Sequence, residues 1–128
     1  MNAKRYLGII IFLFVSTTKA QQNGPLISFE ATTIDYGIIE NGSEGSRSFI
    51  FTNTGTSDLV IENVQSTCGC TVPKKPEAPI APGEKGEIVI HYDTKRTGPF
   101  RKTITVTTNV EGDSITALKL RGTVLPPQ

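Results

Sequence analysis

The sequence predicts an all-β fold, a sandwich of two antiparallel sheets with about seven strands, and three observations support it. Beyond Gln22 no apolar pattern of period 3.6 runs long enough for a helix. Short segments rich in β-branched and aromatic residues recur instead, bounded by glycine, asparagine or proline. Within them apolar and polar positions alternate, as they must in strands with one wet and one buried face.

The first 20 residues stand apart. Lys4 and Arg5 precede an apolar run from Leu7 to Val15, and the small residues Thr18 and Ala20 follow. That order is the order of a secretory signal peptide. A run of nine residues is well short of the roughly 20 that a membrane-spanning helix needs, and no later stretch supplies one. No cysteine stands just after Ala20, so no lipid anchor is expected. The expected organisation is a signal peptide over 1–20, a flexible segment over 21–25, one sandwich domain over 26–125 and a tail over 126–128. The destination is the periplasm or the cell exterior.

Cleavage removes Lys4, Arg5 and Lys19, so 13 basic side chains fall to ten against 12 acidic ones, a net charge of −2. That balance speaks against nucleic acid as a partner. The charge is unevenly spread: residues 21–65 carry six acids and a single base, Arg47, whereas 66–128 carry six acids and nine bases. Solvated surface accounts for this most simply, with a shared basic patch as the alternative.

Taken in order, Ile27 and Phe29 mark the first strand, and Ile34 and Tyr36 the second, ahead of Gly37 and a turn at Asn41-Gly42. Ser46 to Asn53 sets Phe49 and Phe51 on one face, and Asn53-Thr54-Gly55 then turns the chain before Leu59 and Ile61. In Glu87 to Asp93 the residues Ile88, Ile90 and Tyr92 share the inner face, which leaves His91 facing solvent. Phe100 to Thr108 turns Ile104 and Val106 inward, and Ser114 to Val124 does the same with Leu118, Leu120 and Val124. The phase makes one core of Phe49, Phe51, Ile88, Ile90, Tyr92, Ile104, Val106, Leu118 and Leu120. The sandwich is of the immunoglobulin-like type without the inter-sheet disulfide, because both cysteines lie in one segment and tryptophan is absent.

The runs Phe51-Thr52-Asn53-Thr54-Gly55, Leu59-Val60-Ile61, Cys68-Gly69-Cys70-Thr71, Ile80-Ala81-Pro82-Gly83-Glu84 and Gly86-Glu87-Ile88 follow one another in a familiar order. With Arg101 to Val106 and Leu120 to Val124, this pattern resembles the bacterial family catalogued as domain of unknown function 1573, from about Phe29 to Val124. The resemblance implies an exported immunoglobulin-like sandwich from Gram-negative bacteria, with an architecture of the Hydin and major-sperm-protein kind. It implies no activity and no catalytic residues.

Cys68-Gly69-Cys70 is the one motif with intrinsic reactivity. In a regular strand residues i and i+2 lie about 6.6 Å apart, near the roughly 6.8 Å upper limit for a disulfide. A turn or bulge at Gly69 would shorten the distance and close a small, readily reduced ring. Two further readings stay open: small apolar thiols filling space, and a soft-metal pair for Cu(I) or Zn²⁺. Metal ligands are scarce, since the mature chain has only His91 and no methionine. The spacing is not C-x-x-C, so a thioredoxin-like reading has no basis.

The remaining features read as structure. His91 belongs to no catalytic motif. Pro73, Pro76, Pro79 and Pro82 recur every third residue, either as a polyproline ligand or, more simply, as a stiff crossover between the sheets that carries Lys74 and Lys75. Thr103, Thr105 and Thr107 suit the exposed face of a strand. Asn41-Gly42-Ser43 and Asp113-Ser114-Ile115 fit glycosylation acceptor sequences in turns. The sequence therefore points to an exported, non-enzymatic binding or scaffolding module without a cofactor, with a protein partner of unknown identity. A thiol-dependent redox or copper-handling protein using Cys68 and Cys70 is the alternative.

Overall fold

A computed structural model describes residues 23–128. The expected signal peptide, and Gln21 and Gln22 of the segment after it, lie outside the described residues. Eight strands follow in order: β1 (Ile27–Phe29), β2 (Thr33–Ile39), β3 (Ser46–Asn53), β4 (Ile61–Ser66), β5 (Thr71–Lys74), β6 (Lys85–Tyr92), β7 (Gly98–Thr108) and β8 (Ile115–Val124). They form two four-stranded sheets, β1-β3-β6-β5 and β2-β8-β7-β4. The described residues contain no helix long and apolar enough to cross a membrane.

The core is the one the alternation requires. Phe49, Phe51, Ile88, Ile90 and Tyr92 from one sheet meet Ile104, Val106, Leu118, Leu120 and Val124 from the other, none of them more than 2% exposed. Burying each such side chain stabilises the fold by about 1.5–3 kcal/mol. Leu59 and Ile61 close one end of this layer. Tyr36, Tyr92 and Phe100 close the other, with Tyr92 and Phe100 stacked at 3.9 Å between centroids.

The second sheet is mixed, where the sequence led us to expect antiparallel pairing throughout: β2 runs parallel to β8, with Thr33 opposite Lys119. The reason lies in how the N-terminal segment changes sheets. The Glu30 N–H still bonds the Ile50 carbonyl of β3, but the Thr32 carbonyl already accepts from the Lys119 N–H of β8. The backbone ladder is handed from one sheet to the other within two residues, and the turn at Asn41-Gly42 then joins β2 to β3 across the sandwich. Gly42, at φ 79°, supplies the left-handed residue that this turn needs.

The eighth strand, β5, was hidden by its proline. Pro73 sits opposite Ile90 at the edge of its sheet, where a missing N–H costs no ladder bond on the open side. The proline-rich stretch after it joins β5 to β6, neighbours in one sheet, so it is not the crossover between sheets that the proline spacing suggested. Its Ile80 exchanges two backbone hydrogen bonds of 2.8 Å with Leu59. The crossover in this part of the chain falls instead between β4 and β5, edge strands of opposite sheets, and consists of Thr67 to Cys70.

Candidate functional site

The crossover places Cys68-Gly69-Cys70 in a turn, with the Thr71 N–H donating to the Cys68 carbonyl at 3.2 Å. The two Cα atoms are 5.3 Å apart and the sulfurs are joined as a disulfide. The glycine is not there for its backbone freedom: Gly69 is not among the glycines at positive φ, and a Cβ added to it would meet nothing within 4 Å. The turn itself brings the cysteines together. Cys70 is buried, at 8% exposure, whereas Cys68 is only partly covered. Among the described residues no group of three or more His, Cys, Asp or Glu side chains gathers as a metal site.

A second site lies on the outer face of the β2–β8–β7 sheet and was not marked in the sequence. In a regular β2, Ile38 would point inward with Ile34 and Tyr36. A bulge intervenes: Asp35 faces Arg121, yet the next paired residue, Ile38, faces Thr123. Gly37 holds the bulge at φ 68°, and its N–H donates to Asp35 Oδ1 at 2.8 Å. The phase flips, leaving Ile38 74% exposed and Ile39 turned toward the core. Beside it opens a shallow cleft of about 580 Å³, lined by Ile38, Pro99, Phe100, Arg101 and Arg121 among others.

Charge follows strand phase on this face. Arg101 and Arg121 are cross-strand partners and Lys119 pairs with Thr103, so three cations share one patch. The acid that offsets them there is Asp35, whose Oδ2 accepts from Arg121 Nε at 3.1 Å. Both members of that pair are about half exposed, so the contact is worth no more than about 1 kcal/mol. Gly122 lets the floor close: a Cβ there would come within 2.8 Å of Tyr36 Cβ and 2.9 Å of Phe100 Cζ. Beneath, the Tyr36 hydroxyl donates to the Gly45 carbonyl at 2.8 Å, and burial pushes its pKa up to about 12, against the opposing pull of the Arg47 guanidinium stacked on its ring. The excess of bases in the second half of the chain was the sequence signal for this patch, but the bulge that exposes Ile38 left none in the alternation.

The other residues singled out in the sequence lie apart. His91 is exposed on the outer face of the opposite sheet, with Nδ1 3.1 Å from the Ser46 hydroxyl. Thr103, Thr105 and Thr107 line β7 on the cationic face, half covered by their neighbours. Lys75 pairs with Glu77 at 3.5 Å, while Lys74 is exposed. Asn41 uses its amide to bridge the Lys95 carbonyl and the Thr97 hydroxyl, which engages the nitrogen a glycan would need. Ser114 is exposed just before β8.

Residues 27–124 match the family described as protein of unknown function (DUF1573). The chain belongs to that family. No curated protein sequence matches it. Among solved structures it is similar to the ASH/PapD-like domain of human CEP192, at 11% identity and a TM-score of 0.64, over 80% of this chain and 87% of that one. A protein of unknown function from Porphyromonas gingivalis W83 superposes with a TM-score of 0.70 at 15% identity; 80% of this chain covers 48%, about half, of that one. The periplasmic chaperone SfaE aligns at 13% identity, over 80% of this chain and 59% of that one, with a TM-score of 0.52. At these identities the likeness establishes the fold: this DUF1573 chain is a PapD-like, immunoglobulin-like sandwich.

Proposed function

We propose that this chain is exported and works as a non-enzymatic binding module for another protein, held through the cationic face of the β2–β8–β7 sheet. The observation that carries the reading is Ile38, an aliphatic side chain ejected from the alternation by a bulge and set beside a cleft rimmed by Arg101 and Arg121. An isoleucine at 74% exposure gains from being covered, and an exposed pair such as Arg121–Asp35 is cheap to exchange for a partner's carboxylate. The fitting partner is a protein segment bearing an apolar side chain next to acidic ones. The fold accommodates such work, since it is also that of a periplasmic chaperone. Lys4, Arg5 and the apolar run after them support delivery to the periplasm or beyond, as a mature species beginning near Gln21.

The test places a photo-crosslinking residue at position 38 and, as a control on the opposite outer face, at position 91, in cells that produce the protein. A discrete protein adduct from position 38, absent from position 91 and lost when Arg101→Glu and Arg121→Glu are added, is the expected result. The same adducts from both faces, or none from position 38, overturn the reading.

A further inference from the structure

The disulfide corner plays no part in that surface, and its chemistry is a separate matter. We propose that Cys68 and Cys70 exchange disulfides with thiol-bearing polypeptides, Cys68 forming the mixed disulfide and Cys70 resolving it.

Three observations divide the roles. The first is access: a shallow groove of about 510 Å³ is lined by Gln65, Ser66, Cys68, Gly69 and Pro73 among others, and Cys70 is not part of its wall. A thiolate arriving from solvent meets the sulfur of Cys68. The second is anchorage. Cys70 is tied to the end of β6 through its carbonyl, which accepts from the N–H of Asp93, the next residue, at 2.9 Å, while the backbone of Cys68 bonds only within its own turn, to Ser66 Oγ and Thr71 N–H, and its side chain is only partly buried against the core. Opening the bridge frees Cys68 to move and leaves Cys70 in place beneath it. The third is the Cys70 N–H, which points at Cys68 Sγ over 3.3 Å and so faces the negative charge that sulfur carries whenever it leaves or attacks. The groove lies between β4 and β5, both edge strands, whose outer peptide groups belong to no ladder and are free to align an extended segment. That favours a polypeptide as substrate.

The reaction is two successive displacements. A substrate thiolate attacks Cys68 Sγ; the Cys68–Cys70 bond breaks as the substrate–Cys68 bond forms, and the electron pair leaves on Cys70 Sγ, which takes up a proton. A second thiolate of the same polypeptide then attacks its own sulfur in the mixed disulfide, creating a disulfide in the substrate and expelling Cys68 as a thiolate. Two electrons have passed from substrate to protein. The reverse course starts with Cys68 attacking a substrate disulfide and ends with Cys70 closing the bridge. A low-molecular-weight disulfide recharges the pair by that same course. The fold loses little when the bridge opens, because a loop closed across one residue removes little entropy from the unfolded chain.

Reduced and oxidised glutathione are the probes, with mass analysis of acid-quenched samples under native conditions. The expected result is that reduced glutathione opens the wild-type bridge and oxidised glutathione restores it. The variant C70S should hold one glutathione, at Cys68, formed at least about tenfold faster than any adduct of C68S. Alkylation of the reduced wild-type protein needs no variant and should label Cys68 before Cys70 by a similar factor. A bridge that stays closed in excess reduced glutathione, equal labelling of the two sulfurs, or labelling that appears only after denaturation would each overturn the proposal.

Discussion

At the end of β3, beside the start of β6, the buried side chain of Asn53 has every polar atom engaged: its amide donates to the Ser57 and Ile80 carbonyls at 2.7 and 2.9 Å, and its Oδ1 accepts from Gly55 and Leu26. Beside the end of β6, the Cys68–Cys70 corner is tied to Asp93, the residue after that strand, through one backbone bond and sets Cys68 on a groove. Both sit where a strand gives way to a turn, and both belong to the runs by which the sequence resembles its family. They differ in what would be stranded if they failed. Loss of the amide takes one partner each from the part-buried Gly55 and Leu26 N–H groups and from the Ser57 and Ile80 carbonyls, of which Ile80 keeps its bond from Leu59, whereas an opened disulfide leaves two thiols that need none. One end therefore determines whether the sandwich holds, and the other is free to change state.

That comparison is sharpened first by Asn53→Ala, which should cost about 2–4 kcal/mol, because four hydrogen bonds to part-buried backbone groups are lost together. Urea unfolding reads the loss, and a cost below about 1 kcal/mol would show that water replaces the amide. Next comes pH, which probes the end of the core closed by Tyr36, Tyr92 and Phe100. Its folded value of about 12 stands above the ordinary 10.0 because burial favours the neutral phenol. The stability this confers is complete below pH 10 and is lost as pH rises through about 12, a decline worth about 2–3 kcal/mol at full extent. Tyr92, displaced in the same direction by burial, adds to it. Thermal melts between pH 9 and 12 should fall in wild type and fall less in Tyr36→Phe.

Replacing both cysteines with serine should cost about 1–3 kcal/mol, since Cys70 is buried and the new hydroxyl needs a partner, yet leave β-sheet circular dichroism and cooperative unfolding intact. Collapse to an unfolded chain would place the corner in the same class as Asn53. The smallest effect belongs to Gly69→Ala, within about 0.5 kcal/mol, because neither φ nor space demands glycine there. A large loss would mean that the turn is tighter than its open surroundings indicate.

Much of the sandwich is legible in the sequence because a period of two is read directly from residues such as Ile88, Ile90 and Tyr92. Features that depend on distant partners are not. Asn53 looks like a turn residue, and nothing local announces that its amide reaches Ile80. Pro73 argues against a strand unless the strand is known to lie at an edge. Ile38 follows Ile34 and Tyr36 in perfect alternation, and only the bulge at Gly37, fitted to the spacing of β8, turns it out. The cysteines stay ambiguous for a related reason: their separation depends on whether Gly69 sits in a strand or a turn, and the crossover between sheets decides that.

The parallel pairing of β2 with β8 has a consequence for how the chain assembles. Asp35 and Arg121, which meet across that pair, are 86 residues apart in sequence, and β8 is the last of the eight strands among the described residues. The ladder of β2 in its sheet is therefore completed only by β8, with five strands between them in sequence. Contacts of such long separation slow folding, because the entropy of closing the loop must be met before the pairing returns anything. A copy truncated before Ile115 would lack a strand from the middle of the sheet, not from its edge.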